Sequence, residues 1–597
     1  MTQHGTTTLG SAPPYGGRSP EPSHPPRPPL TMPDHLFGQL ATGGGSPEAL
    51  AFLERGERAR RLLLLRTLLD RLDVLPTPLT PPARAWAVVK EAAEVAPHTV
   101  EQLLLAPSTG SWLGHVLRRS HGTSSGPPMW AEAGHLCALA VVAAVRAGTT
   151  ADLLVPLMNS ALHLPGLGRL QLPGVGPHPT VGRARVDGGE VLVDLPGAPG
   201  VTPVRCRPAT VPAGTPGAAA SAGPHWLPLR TLALPAAAGG GTVLLDDLDP
   251  YRDLDEPVPA ERLDDDEALA WQRLFDEALE LLGAGTGNGL DTMDGPGRLV
   301  PAAVRVVVPW GRTATTPPPP PFVRTSATSG DAYGAMVISR PATAVGLAET
   351  LVHEFQHSKL AALLHLFELI DDDRTECHYA PWRPDPRHLP GLLHGAYAFT
   401  AVTGFWRDRL ADDPGSPVAA YHFALRRLQT RLVVRTLLGS GRLTAPGRRL
   451  VSGLAATLDG WLRDPVDVAA LTRARTAAAL HRTEWRLRNL VHEGPSAGPR
   501  LRSCAHRWAD TRTHAFAEPP AAPRTADEYL AAGDFAGAVS RYATLLAGTP
   551  DDPATFAGWI VARAALHPGR GDTRRALARP ELLTARPRGE AGAEGSD

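Results

Sequence analysis

Residues 349–360 read Glu-Thr-Leu-Val-His-Glu-Phe-Gln-His-Ser-Lys-Leu. On a helix, His353 and His357 stand four residues apart and project from one face, about one turn from each other. That spacing lets two imidazoles reach one metal ion. Glu354, next to His353, can reach a water or oxygen species held there. The surrounding helix is strongly apolar and follows a strand, a setting in which two histidines and a glutamate are costly without a task. The expectation is therefore a helical metal-binding core, with this helix running from about Ala344 to Ile370.

Outward from the motif, the chain reads as mainly α with an irregular β-rich insert, an α+β protein. Val304 to Val308 and Tyr333 to Ser339 read as strands, joined through the stiff proline run Pro317 to Pro321. A helix over Asp264 to Leu282 carries Trp271, Leu274, Phe275 and Ala278 on one face. The metal-binding region is expected over 254–495, the β-rich insert over 164–253 and an N-terminal helical region over 32–163. The insert is recognised by short β-prone runs between Gly/Pro clusters. Downstream of a loop over 371–390, helices are expected over Leu392–Leu410, Tyr421–Leu438, Val451–Leu462 and Val466–Leu490. A hairpin over 525–567 has the residue pattern of a single tetratricopeptide-like unit, read as a docking cap. The Pro-rich 1–31 segment and residues 568–597 read as disordered tails, and Met32 offers an alternative gene start.

Composition narrows the functional classes. Across 597 residues, 59 Lys plus Arg balance 60 Asp plus Glu, so the net charge of -1 draws the chain towards neither nucleic acid nor anionic membrane. The 4 cysteines form no CxxC pair, which argues for free thiols rather than a zinc knuckle or a disulfide framework. No apolar run reads as a membrane span or signal peptide, and the protein is expected in the cytoplasm. His492-Glu493 lacks a second histidine at the right spacing and reads as a helix end.

Two histidines on one helix need a further protein ligand. Downstream candidates are His365, His378, His388, His394, Glu376 and Asp385, and none stands at the usual zinc-protease spacing. His394 is preferred. The 371–390 loop is long enough to reverse the chain, which places His394 in the first turn of an antiparallel helix with Gly395 permitting close helix approach. Glu376 or Asp385 would instead supply the carboxylate common in oxygenase sites. Glu349, one turn before His353, is expected to hold that imidazole from behind.

Further segments, Tyr-Ala-Pro-Trp-Arg-Pro-Asp-Pro-Arg (379–387), Gly-Leu-Leu-His-Gly-Ala-Tyr-Ala-Phe (391–399) and Leu-Asp-Asp-Leu-Asp-Pro-Tyr-Arg-Asp (245–253), join the motif in carrying a resemblance. From about Pro33 to Val491 the chain resembles the actinobacterial HEXXH-motif family of peptide-modification gene clusters, 2-oxoglutarate-dependent HEXXH-type peptide β-hydroxylases. That resemblance implies Fe(II), 2-oxoglutarate and a ribosomally made precursor peptide as substrate. Imidazole suits Fe(II) as well as zinc. The far carboxylate of a 2-oxo acid calls for a planar cation, and Arg383 and Arg387 lie in the loop after the motif helix. Without a ligand, both arginines read as surface or helix-pairing residues, and Trp382, Tyr379 and Tyr397 as core. Two other readings stand beside this one. One is a zinc metallopeptidase with Glu354 as general base; the other is a helical scaffold with a vestigial site. The sequence leaves the oligomeric state open.

Overall fold

The computed structural model describes residues 30–123, 125–198, 200–218, 223–236, 240–254, 256–284, 295–310, 326–372, 374–491, 500–501 and 514–584. The 1–31 tail (apart from its last two residues), the proline run 317–321, His492-Glu493 and Cys504 lie outside them. About 54% of the chain is helical with a β-containing insert, the mixed α+β class expected.

The motif helix spans Ala344–Leu366. Thr343 caps it, its side chain accepting a hydrogen bond from Gly346 N at 3.2 Å, which satisfies one of the amides that the first turn leaves open. Leu347, Ala348, Leu351, Val352 and Phe355 are buried against the Asp265–Ala284 helix and the adjoining sheet. Phe367 turns to extended backbone, so the helix stops at Leu366, short of the Ile370 expected. The next helix, Leu389–Asp412, packs on it, and Pro417–Gly439 packs on that one in turn. The N-terminal helices Asp34–Ala41 and Pro47–Leu72 share a core with these, through Leu36, Leu40 and Leu53 beside Leu360, Leu363 and Leu393. Lys359, buried within the motif helix, fastens that junction: its Nζ donates to Gly44 O at 2.7 Å.

The β structure begins earlier than its sequence texture. Ala151–Leu157 is a strand, inside the N-terminal helical region expected over 32–163. Gly148, at φ 68°, ends the preceding helix, and Leu153, Val155 and Leu157 then alternate inward. Pro156 is tolerated because this strand forms the edge of an antiparallel four-stranded sheet, followed by Thr180–Asp187, Glu190–Asp194 and Val204–Cys206. A three-stranded sheet joins Ala161–Leu164, Gly168–Gln171 and Trp226–Pro228. The insert is not a separate unit. Its last strands, Arg230–Ala233 and Thr242–Leu245, continue into a six-stranded sheet in which Thr242–Leu245 pairs in parallel with Val306–Pro309, and that strand with Ala335–Ile338.

At the C-terminal end, Ala526–Ala531, Phe535–Gly548 and Pro553–Leu566 make three helices rather than a two-helix hairpin. The chain does not become irregular at 568. Helices follow at Gly571–Ala578 and Glu581–Thr584, and buried Glu581 accepts from Arg486 at 2.5 Å and 2.9 Å. Among the described residues one helical stretch, Met129–Ala147, is long and apolar enough to cross a membrane, and 78% of its apolar window is buried inside the fold. Cys137, Cys206 and Cys377 are free thiols.

Candidate metal centre

The motif helix directs both histidines into a cavity of about 570 Å³, within the size range of small-molecule sites. Glu354, His394, Arg383 and Arg387 line the same cavity. Six of the residues singled out from sequence therefore meet at one place, while Glu376, His378, Asp385 and His388 do not line it.

The closest pair is His353 Nε2 and His357 Nε2, 3.1 Å apart. Two nitrogens each about 2.1 Å from one ion stand about 3.0–3.4 Å apart, so the pair is spaced as two ligands of one metal would be. Burial pushes His353 down to about 4 and His357 down to about 3, with His353 adding to the effect on His357. Both rings are then neutral at pH 7 and keep a lone pair for a metal. His353 retains 21% side-chain exposure, enough to face the cavity. Glu349 accepts from Trp406 Nε1 at 3.3 Å, and its charge partly offsets the burial of His353.

Glu354 is fully buried, and Thr328 Oγ1 donates to its Oε2 at 2.7 Å. Its Oε1 stands 4.0 Å from His353 Nε2. With the two histidines it forms the one His/Cys/Asp/Glu group among the described residues compact enough to hold an ion. The 4.0 Å gap is wider than the 3.1 Å between the two histidine nitrogens, so the carboxylate stands apart from that pair.

His394 lies in the second turn of its helix, because that helix begins at Leu389, earlier than expected. Its Nδ1 approaches Nδ1 of His357 at 3.4 Å. The two nitrogens of one imidazole point well apart, so His357 cannot present a single ion to both neighbours in this geometry. The placement suits a hydrogen bond that orients His357 better than a third metal bond. The other candidates are engaged elsewhere. His365 Nδ1 pairs with buried Glu57 at 2.6 Å, His388 lies 3.4 Å from Cys377 Sγ, and His378 is 3.9 Å from exposed Glu376. Asp385 lies 2.9 Å from Arg383 Nε and 3.0 Å from Arg387 Nε, which uses its charge to hold the two arginines together.

The loop carrying those arginines is pinned. His378 and Arg387 exchange backbone hydrogen bonds at 2.7 Å and 2.9 Å, closing it as a hairpin. At its tip, Gln429 Nε2 donates to Pro381 O at 2.9 Å and Asn489 Nδ2 to Pro384 O at 3.0 Å. Gly395 serves this loop rather than a helix crossing. A Cβ there would lie 2.3 Å from Trp382 Cζ2, so the glycine admits the indole. Trp382 in turn stacks on Phe399 at 4.4 Å, and Phe399 meets His353 edge-on at 5.0 Å.

Sequence reasoning missed Thr328, Arg426 and Gln429. Arg426 lies over the Phe399 ring at 4.9 Å, and its charge lowers the His353 pKa further. It is the less buried arginine of an Arg-Arg pair, and sequence gives no sign that it, rather than Arg427, which donates to Trp461 O and Asp464 O, faces the site. No protein-family description matches the chain, and no curated protein matches it either.

Proposed function

We propose that the protein is an Fe(II)- and 2-oxoglutarate-dependent peptide β-hydroxylase acting on a ribosomally made precursor peptide. The observation that supports it most is the convergence of His353, His357, Glu354, His394, Arg383 and Arg387 on one cavity. His353 and His357 would hold the metal, with Glu354 the third member of the group compact enough to share it, and His394 would orient His357. When bound, the iron would supply the capacity to activate O₂ with a 2-oxo acid as co-substrate. Arg383 and Arg387, pre-aligned by Asp385, offer planar donors for the far carboxylate of that acid. Trp382 and Phe399 form the apolar wall that excludes water from one side of His353. The helices from Ala526 to Leu566 read as a tetratricopeptide-like unit that docks on the Val468–Asn489 helix. Their close packing, in which Gly558 receives the Tyr542 ring, agrees with this.

One observation keeps a zinc metallopeptidase as the second reading. Glu354 stands beside His353 with its carboxylate oriented by Thr328, the arrangement a general base needs. An assay with Fe(II), 2-oxoglutarate, ascorbate and O₂ separates the two. Succinate release coupled to oxygen insertion into a peptide is the expected result. Peptide cleavage that needs no 2-oxoglutarate would replace it with the peptidase reading.

A further inference from the structure

A second cavity, of about 490 Å³, lies apart from the metal centre, between the N-terminal helices, the first strands of the insert and the 250–260 segment. It is walled by Leu162, Met158 and Pro259 and has a polar floor of His135, His163 and Arg169. His163 and Arg169 are direct partners across the antiparallel pair Ala161–Leu164 and Gly168–Gln171, so both side chains leave the same face of the sheet. His135 begins the helix His135–Ala147, and Tyr251 meets its ring edge-on at 4.8 Å.

These polar groups are incompletely used. His135 is 5% exposed, and its Nε2 has no hydrogen-bond partner among the described residues; neither have His163 Nδ1 and Arg169 Nε. Arg169 donates to a neutral carbonyl, Asn159 O at 2.9 Å. A half-buried guanidinium and a buried imidazole left this way are costly unless a ligand completes them. The free capacity favours an acceptor, because Arg Nε can only donate. Two acids also line the cavity: Glu132, which pairs with Arg119 and lies 3.1 Å from His115, and Glu256, whose side chain is more than half exposed to solvent and lies 3.5 Å from His115. Those same acids oppose a doubly charged anion. The remaining walls are mostly apolar, with Ser125 and Asn159 among them.

We propose that this cavity binds a carboxylate attached to an apolar body, with Arg169, His135 and His163 as its donors. The acid is either a free small molecule or the C-terminus of a peptide, since both present the same group. This inference is independent of the reading of the metal centre.

The test titrates the full chain with four probes: hexanoate, hexanamide, and acetyl-Pro-Leu-Val as the free acid and as the C-terminal amide. At least one acid should bind saturably and at least tenfold more tightly than its amide, as a charge-assisted pair requires. Hexanoate alone indicates a small-molecule ligand, and the peptide acid alone indicates a C-terminus. Arg169→Gln should bring the acid to within about threefold of its amide, and His135→Leu should weaken the acid similarly. The acid–amide comparison in the unmodified chain decides the matter if either variant misfolds. His353→Ala and His357→Ala should leave acid binding unchanged. Equal binding of acid and amide, no saturable binding of any probe, or loss of acid binding in the His353 and His357 variants would overturn the proposal.

Discussion

The two histidine-lined cavities are built in opposite ways. In the motif cavity the imidazoles face one another, with nitrogens 3.1 Å and 3.4 Å apart, and they come from two neighbouring helices. In the N-terminal cavity His135 and His163 come from a helix and a strand, and each leaves a nitrogen unpartnered. The first arrangement brings the Nε2 atoms of His353 and His357 together where a cation would sit. The second spreads donors around an apolar volume, where an anion fits.

What the cavities share gives the largest expected effect. Burial pushes His135 and His163 down to about 3, as it does His357, and His353 to about 4. Each value lies below the unfolded one near 6.5, so between those values the unfolded chain binds more protons. Stability is therefore intact above about pH 6.5 and is lost progressively as pH falls towards 4. The urea midpoint of the metal-free chain should hold between pH 7.5 and pH 6.5 and drop steadily from there to pH 5. A flat profile would show that these rings are not buried as neutral groups in either cavity.

The next effects separate the cavities. Glu354→Gln keeps the shape of the side chain and removes its charge. If Glu354 is the general base of the metallopeptidase reading, turnover should fall about 10²-fold or more while bound metal, read by elemental analysis, stays constant. Unchanged turnover would leave Glu354 a purely structural partner of Thr328. His394→Ala should weaken metal affinity by about 10–100-fold, the range for losing an orienting partner. Complete loss of metal would make His394 a direct ligand and contradict its placement at Nδ1 of His357. Gly395→Ala drives a methyl group into Trp382 and should cost about 1–3 kcal/mol in denaturant unfolding. No change would mean that the loop is free to move away.

The same contrast explains what sequence could reveal. His353 and His357 were legible because helical periodicity converts a spacing of four into shared direction. His394, Arg383 and Arg387 were placed near them through the loop reversal and the resemblance, and they do line the cavity. Thr328 and Arg426 were not legible, since their proximity depends on a strand edge and on which side of a helix turns inward. The second cavity gave no signal at all. Its strands begin at Ala151, inside a stretch read as helical, and its three donors sit on three elements with no common period. Met129–Ala147 illustrates the reverse problem: its apolar run fits a membrane by length alone, but its neighbours in the fold bury it.

The most direct measurement is the metal stoichiometry of the full chain loaded anaerobically with Fe(II), beside His353→Ala and His357→Ala. The parent should hold one ion per chain, neither variant should retain any after gel filtration, and circular dichroism should be unchanged in all three. Full stoichiometry in either variant would contradict the assignment of the motif helix as a metal centre.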